Sequence, residues 1–508
     1  MTDAGGETTP KAGRREWIGL AVLALPCVLY SMDLTVLNLA VPHLTADLQP
    51  SSSQLLWIID IYGFLVAGSL ITMGTLGDRI GRRKLLMIGA AAFGAGSVLA
   101  AFSNSAEMLI ATRALLGVAG ATLAPSTLSL IRNMFLDPEQ RTFAIGVWIT
   151  SYSVGGMIGP VVGGVMLQYF WWGSVFLIGV PVMVLLLILG PMLLPEFRDP
   201  GAGRLDLISA GMSLGAVLLV IYGLKRIAED GFGSLPLLFI AAGFLAGLLF
   251  VRRQLKLTHP LIDLSLFRIP AFSASLAANL LNCFVAFGAF IYVAQYLQMV
   301  QGFTPLRSGM LMIPSSIGFI AGSMLTPRIV RRFRPSYVTG GGLLMAAIGF
   351  LVLTRIDASS GVGYLVAGSL IYSIGLALAF TVATDIIVGS APPERAGAAA
   401  AISETFAEFG GALGIAVLGS IGTAIYRRSM ADAVAGSIPI EAADAARATL
   451  AGALVTAEGL QPLLRADLIA AARHAFAAAM HVVYSINVAV MVVTAIIVTT
   501  LLNKNRTT

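Results

Sequence analysis

The stretch WIGLAVLALPCVLYSMDLTVLNL, residues 17–39, carries a single charged side chain, Asp33. As a helix rising 1.5 Å per residue it reaches across the roughly 30 Å hydrocarbon core of a bilayer. A carboxylate at such depth costs several kcal/mol, so it marks a functional position. Four further acids, Asp60, Asp385, Glu404 and Glu408, fall in other apolar stretches of spanning length.

Composition carries the same message across the chain. With 57% hydrophobic and 11% charged residues over 508 positions and a mean hydropathy of +0.87, the sequence is too apolar for a water-soluble globule. An all-α polytopic membrane protein follows, and its 55 glycines suit helices that bring their backbones close together. The net charge of +6 is spread through short loops between apolar segments, as topology signals are, so it does not point to nucleic acid. Cys27 and Cys283 both lie inside apolar segments and read as packing residues, without a disulfide framework or a metal ligand set. The first apolar segment is too long and too poorly terminated for a cleaved signal peptide and is expected to remain.

Runs of about 20 apolar residues predict fourteen helices, near 17–41, 54–76, 85–103, 107–131, 142–167, 173–194, 206–224, 235–251, 271–296, 307–327, 337–355, 362–389, 398–425 and 477–502. With the N-terminus in the cytoplasm, inner tails and loops hold 22 of the 32 Lys and Arg, outer ones hold 9, and Arg113 lies within a helix. The even helix count then places both ends inside. The segment after the second helix (Gly74, Leu76, Gly77, Asp78, Arg79, Gly81, Arg82, Arg83, Lys84) has a degraded echo after the tenth (Gly322, Pro327, Arg328, Arg331, Arg332, Arg334). This repeat suggests a cytoplasmic tail 1–16, a six-helix bundle 17–194, a linker 195–270 with two inserted helices, a second six-helix bundle 271–502, and a tail 503–508. The long polar segment 426–476, Ala-rich and with Pro439 suited to a first helical turn, is expected outside as a helical hairpin.

Several of these motifs resemble a known family. Gly74 to Lys84 matches the GxLaDRxGRR signature between helices 2 and 3 of the major facilitator superfamily. Gly155, Gly159, Pro160, Gly163 and Gly164 are similar to the GxxxGPxxGG antiporter motif of its drug exporters, and Arg113 with Gly117 to their RxxxG element. Asp33, Thr35, Asn38 and Pro42 resemble the first helix of the 14-helix drug:proton antiporter-2 family. Within it, Trp57, Asp60, Tyr62, Glu404 and Glu408 look most like the quaternary ammonium compound, methyl viologen and ethidium efflux pumps. The resemblance implies two six-helix bundles plus two inserted helices, a bacterial plasma membrane setting, and a monomer.

The residues have physical readings of their own. Asp78 is placed either to accept N–H groups at a helix N-terminus of the other bundle, latching the inner gate, or to sit solvated in a basic loop. Gly155, Gly159 and Gly163 form a smooth stripe, read as a seam between bundles or as ordinary packing, with Pro160 bending the axis. Arg113 needs an acid or several carbonyls as partners, which the sequence does not identify, and either tunes a nearby carboxylate or is paired structurally. Glu404 and Glu408 lie one turn apart on one helix face, a carboxylate pair suited to proton exchange; Glu404 is near enough to a helix end to be simply hydrated, and Asp385 is read as hydrated too. Asp33, Asp60 and Glu408 could neutralise a lipophilic cation, with aromatic faces from Trp57, Tyr62, Trp148, Tyr152, Phe287, Phe290, Tyr292 and Tyr296. Trp and Tyr also gather at membrane interfaces. Asn38, Asn279, Asn282 and Gln295 fit either interhelical hydrogen bonds or a cavity lining.

No GxxxxGK[ST] loop is present, so an ion gradient is the expected energy source, without a cofactor. The expectation is a proton-coupled multidrug efflux antiporter for small lipophilic cations, with Asp33, Glu404, Glu408 and Arg113 coupling the proton. The alternative is an exporter of the same fold for an endogenous metabolite or lipid. The scattered single acids argue against a channel, and the lack of a Ser/His/Asp or metal constellation argues against an enzyme.

Overall fold

Inside hydrocarbon the backbone N–H and C=O groups have no water to bond, so a chain this apolar must satisfy them within helices. The computed structural model describes residues 10–50, 52–198, 206–230, 233–258, 260–303, 305–357, 361–433, 443, 446, 447 and 449–504, and no strand occurs among them. Among the described residues, fourteen helices are long and apolar enough to cross a membrane. They are α1 (Arg14–Leu48), α2 (Ser52–Ile80), α3 (Arg82–Ala101), α4 (Ala106–Met134), α5 (Pro138–Tyr169), α6 (Ser174–Leu193), α7 (Leu207–Asp230), α8 (Ser234–Gln254), α9 (Pro270–Val300), α10 (Pro305–Val330), α11 (Pro335–Leu353), α12 (Gly363–Ser390), α13 (Ala396–Ala433) and α14 (Pro462–Lys504). The even number of crossings puts Arg14 and Lys504 on one face, the end-bearing face.

Local chemistry sets several boundaries. Ser105 caps α4 by accepting from the Met108 N–H at 3.2 Å, and Asp137 caps α5 by accepting from the Gln140 N–H at 2.9 Å, with Pro138 in the first turn. Gly81 separates α2 from α3 at φ 112°, where a Cβ would run into the Glu196 carboxylate that binds the Arg83 and Lys84 N–H groups.

The helices sort into two packed groups. In the first, α1 lies against α5 and α6, α3 against α4 and α6, and α2 against α4. In the second, α11 packs on α12 and α14, α9 on α12, α13 and α14, and α10 on α12. The inserted pair α7 and α8 pack on each other through Gly223 and Gly243, and α7 reaches back to α2 and α13. The groups meet where α2 touches α13 and α5 touches α10.

Two expectations change here. The bounds 426–476 shift, because α13 continues to Ala433 and α14 already begins at Pro462, so both ends of the segment belong to those helices. A short helix, Leu450–Glu458, capped by Thr449, packs on α14 between them. Alanine favours helix with or without lipid around it, so both crossings run on beyond the apolar stretch. Pro439 lies outside the described residues. The glycine stripe of α5 is also not a seam between groups. A Cβ at Gly155 would strike the Val28 carbonyl and one at Gly163 the Val36 side chain, so the stripe seats α5 on α1 of its own group. Gly159 is buried, Gly164 faces open space, and the Pro160 side chain lies outside the described residues.

Candidate functional site

Asp33 and Arg113 meet in the middle of the first group. The Arg113 guanidinium is 1% exposed; it donates to the Asp33 carboxylate at 2.6 Å and to the Ile58 carbonyl at 3.3 Å. Its Cζ lies 4.6 Å from the centre of the Tyr62 ring. The cation on Tyr62 is therefore the protein's own, and Tyr62, fully buried, is not the open aromatic wall expected for a guest. The side chains of Thr35, Asn38 and Pro42 on the same helix lie outside the described residues.

From Tyr62 the contacts run on to the second group. The Tyr30 and Tyr62 rings are 6.0 Å apart, and the Tyr30 hydroxyl donates to the Glu408 carboxylate of α13 at 3.5 Å. Tyr152 stands edge-on to Tyr30, and Trp148 edge-on to Tyr152. Trp148 is itself buried and donates to the Thr127 hydroxyl at 2.9 Å, which makes it a wall of the first group rather than a surface for a guest. Glu404 and Glu408 share the face of α13 on which Ala401 packs against Gly74 of α2. Phe287 of α9 leans on Gly411, next along that face; Phe287 and Phe290 are 52% and 56% exposed. Trp57 stands 41% exposed, edge-on to Phe64.

Asp60, expected to neutralise a guest cation, pairs with Lys225, whose Nζ also lies 4.7 Å from the centre of the Phe64 ring. Lys225 is still on α7, which runs to Asp230. The unbroken helical pattern through residue 230 was the signal that could have found it.

On the end-bearing face, motif residues tie the groups together. The Ala398 N–H, in the first turn of α13, donates to the Asp78 carboxylate at 3.1 Å; Asp78 is 6% exposed and so is not a solvated loop acid. Arg82, from the start of α3, pairs with Asp78, donates to the Gly74 carbonyl at 2.7 Å, and fills the space a Cβ at Gly397 would need. Arg79 sits in the last turn of α2. Asp385, read as hydrated, instead accepts from Arg141 at 2.6 Å and Thr142 at 2.9 Å, joining α12 to α5. The echo segment contributes as well, with Arg331 paired to Glu139. Asp263, in the turn before α9, accepts from Arg395 at 2.8 Å. Burial works against its charge, but hydrogen bonds from Ser265 and Arg395 prevail and hold its carboxyl below the usual range.

Several of the remaining polar and aromatic candidates make hydrogen bonds within the second group. Asn279 donates to Thr384 and Ser403, Asn282 to the Leu376 carbonyl, Tyr292 to the Leu418 carbonyl and Tyr296 to the Asp357 carbonyl. Cys27 and Cys283 are buried and unpaired.

Residues 23–415 match the Major Facilitator Superfamily. The chain is 40% identical over 472 residues to the multidrug efflux pump LfrA of Mycolicibacterium smegmatis, covering 93% of each chain. It is 35% identical to the methyl viologen resistance protein SmvA of Salmonella typhimurium, over 91% of this chain and 93% of the relative. It is 33% identical to a tetracenomycin C resistance and export protein of Streptomyces glaucescens, over 82% and 78%. Among solved structures, the human organic anion transporter MFSD10 shares the fold, with a TM-score of 0.60 at 15% identity over 94% of this chain and 99% of that one. Two groups of six spans with an inserted pair, a contact between the groups at the Asp78 segment, and relatives that match nearly end to end lead to one assignment: the chain belongs to the Major Facilitator Superfamily and is a multi-pass transporter of its exporter branch.

Proposed function

We propose that the protein is a proton-driven antiporter that expels lipophilic organic cations from the bacterial cytoplasm by alternating access. The observation that carries this reading is the run of contacts from Arg113 and Asp33 through Tyr62 and Tyr30 to Glu408, which links acids of both groups across the surface on which they would move. A carboxylate whose hydroxyl partner belongs to the opposite group loses that partner when the groups part. In a site with little water it then takes either a proton or a cation, because an isolated charge there is costly.

The cycle follows from that exclusivity. With the end-bearing face cytoplasmic and closed, the site opens outward, Glu408 and its neighbour Glu404 take up protons, and a bound cation leaves. Opening inward breaks the Asp78 contact with Ala398, the protons depart, and a cytoplasmic cation takes their place. A potential of 100 mV supplies about 2.3 kcal/mol for each charge moved. The working unit is a monomer in the plasma membrane with both ends in the cytoplasm. The name of the methyl viologen resistance relative supports cationic guests.

Ethidium transport into inverted proteoliposomes under an imposed proton gradient tests the reading. Wild type is expected to accumulate the dye, and Glu408→Gln to lose gradient-driven uptake. Ethidium pumping that survives collapse of the gradient would falsify it. The tetracenomycin C exporter among the relatives favours a second reading, export of a metabolite the cell itself makes. A neutral or anionic substrate taken up in preference to ethidium would select it.

A further inference from the structure

The inserted helix α7 brings a positive charge of its own to the acids. Lys225 pairs with Asp60 of α2 and rests on the Phe64 ring, and it lies within electrostatic reach of Glu408 on α13. An ammonium against a carboxylate and an aromatic face is the set of contacts an organic cation would seek. The Lys225 side chain is 37% exposed, so it is accessible to an arriving ligand, whereas Arg113 at 1% is not. Its long, flexible stem can withdraw the charge without moving the helix, unlike a packed guanidinium. Phe64 also belongs to the small apolar cluster shared by α2 and α7, with Val217 and Ile221, so the lysine stands at the rim of an apolar patch.

We propose that Lys225 is a tethered cation that occupies the Asp60 site when no substrate is present, and that a lipophilic monocation binds by displacing it. The inference rests on the cation-exporter reading above. It assigns the inserted helices a role in selectivity: a guest must out-compete an internal ammonium, which favours cations with large apolar surface over small hydrated ones.

The test is equilibrium binding of tetraphenylphosphonium and of a neutral hydrophobic dye to the purified full chain in nanodiscs. K225M is expected to bind tetraphenylphosphonium about tenfold tighter than wild type, K225R to bind like wild type, and the neutral dye to be unaffected by either. D60N added to K225M is expected to abolish the gain. Unchanged or weaker binding of tetraphenylphosphonium by K225M overturns the proposal. Saturable wild-type binding alongside that result leaves the cation-exporter reading standing; no saturable binding by any variant overturns both. A second measurement needs no variant: acylation of Lys225 by a soluble amine reagent, read by mass spectrometry. Tetraphenylphosphonium is expected to raise labelling of Lys225 severalfold, and labelling that stays constant or falls with the ligand overturns the proposal.

Discussion

The two helix groups repeat one packing device and put it to different electrostatic use. In the first, Gly155 of α5 lets that helix press on the Val28 carbonyl of α1; in the second, Gly410 and Gly414 of α13 press on the Leu280 and Phe284 carbonyls of α9. The steric solution is the same, but the charges differ. Asp33, on the helix that receives the glycines, is neutralised by Arg113 from its own group. Glu408, on the glycine helix itself, gets its hydroxyl contact from Tyr30 of the other group. A charge settled within its own group keeps its partner however the groups move, while a charge satisfied across the interface changes partners with each swing. The first arrangement suits a fixed strut, the second a working group.

That contrast can be broken at several points. The largest effect is expected from Arg113→Ala, which leaves Asp33 buried without its partner and should cost about 3–5 kcal/mol, seen as a collapse in yield and melting temperature. Neutralising both members, Asp33→Asn with Arg113→Met, should recover much of that stability, and a single variant that melts like wild type would erase the distinction between the groups. Glu408→Gln should do the reverse: gradient-driven dye transport falls to about 1%, equivalent to about 2.7 kcal/mol, while the melting temperature holds. Gly155→Ala and Gly414→Ala should each destabilise by about 1–3 kcal/mol through overpacking against a carbonyl. Similar losses at the two sites would sharpen the steric half of the comparison, and a large difference would weaken it. Asp78→Asn should weaken the end-bearing closure by about 1–2 kcal/mol, as expected when a hydrogen bond to a charged acceptor becomes a neutral one. Spin labels at positions 84 and 394 would register it as a larger share of long distances. Tyr30→Phe is the mildest, slowing transport by about twofold to fivefold, in keeping with the loss of one long hydrogen bond worth up to about 1 kcal/mol.

The helices were legible because hydrocarbon imposes a length on every crossing, and a run of twenty apolar residues has few other uses. Their ends were less so. Arg14–Leu48 and Pro462–Lys504 outrun the apolar stretches, since beyond the lipid it is helix propensity and not hydropathy that decides where the winding stops. Among the functional candidates, Asp33 and Arg113 were visible one at a time as misplaced charges, but no local rule joins residues 80 positions apart. The Asp78 contact was the exception, because its motif carries its own geometry, an acid at a helix end opposite a helix start. Asp385 was misjudged and Lys225 missed for a common reason. Each lies near a helix terminus, where sequence alone suggests water, and each is instead occupied by a neighbour supplied by tertiary packing.

The donor in the Asp78 contact is the main chain of Ala398, not a side chain. Half of the fastening is therefore written in no particular side chain, but Ala398 is itself buried, so the donating position has room only for small residues. Proline lacks the N–H altogether. The two ends of the contact should thus tolerate change on different grounds: at 78 the side chain must accept a hydrogen bond, while at 398 size and the presence of an N–H decide.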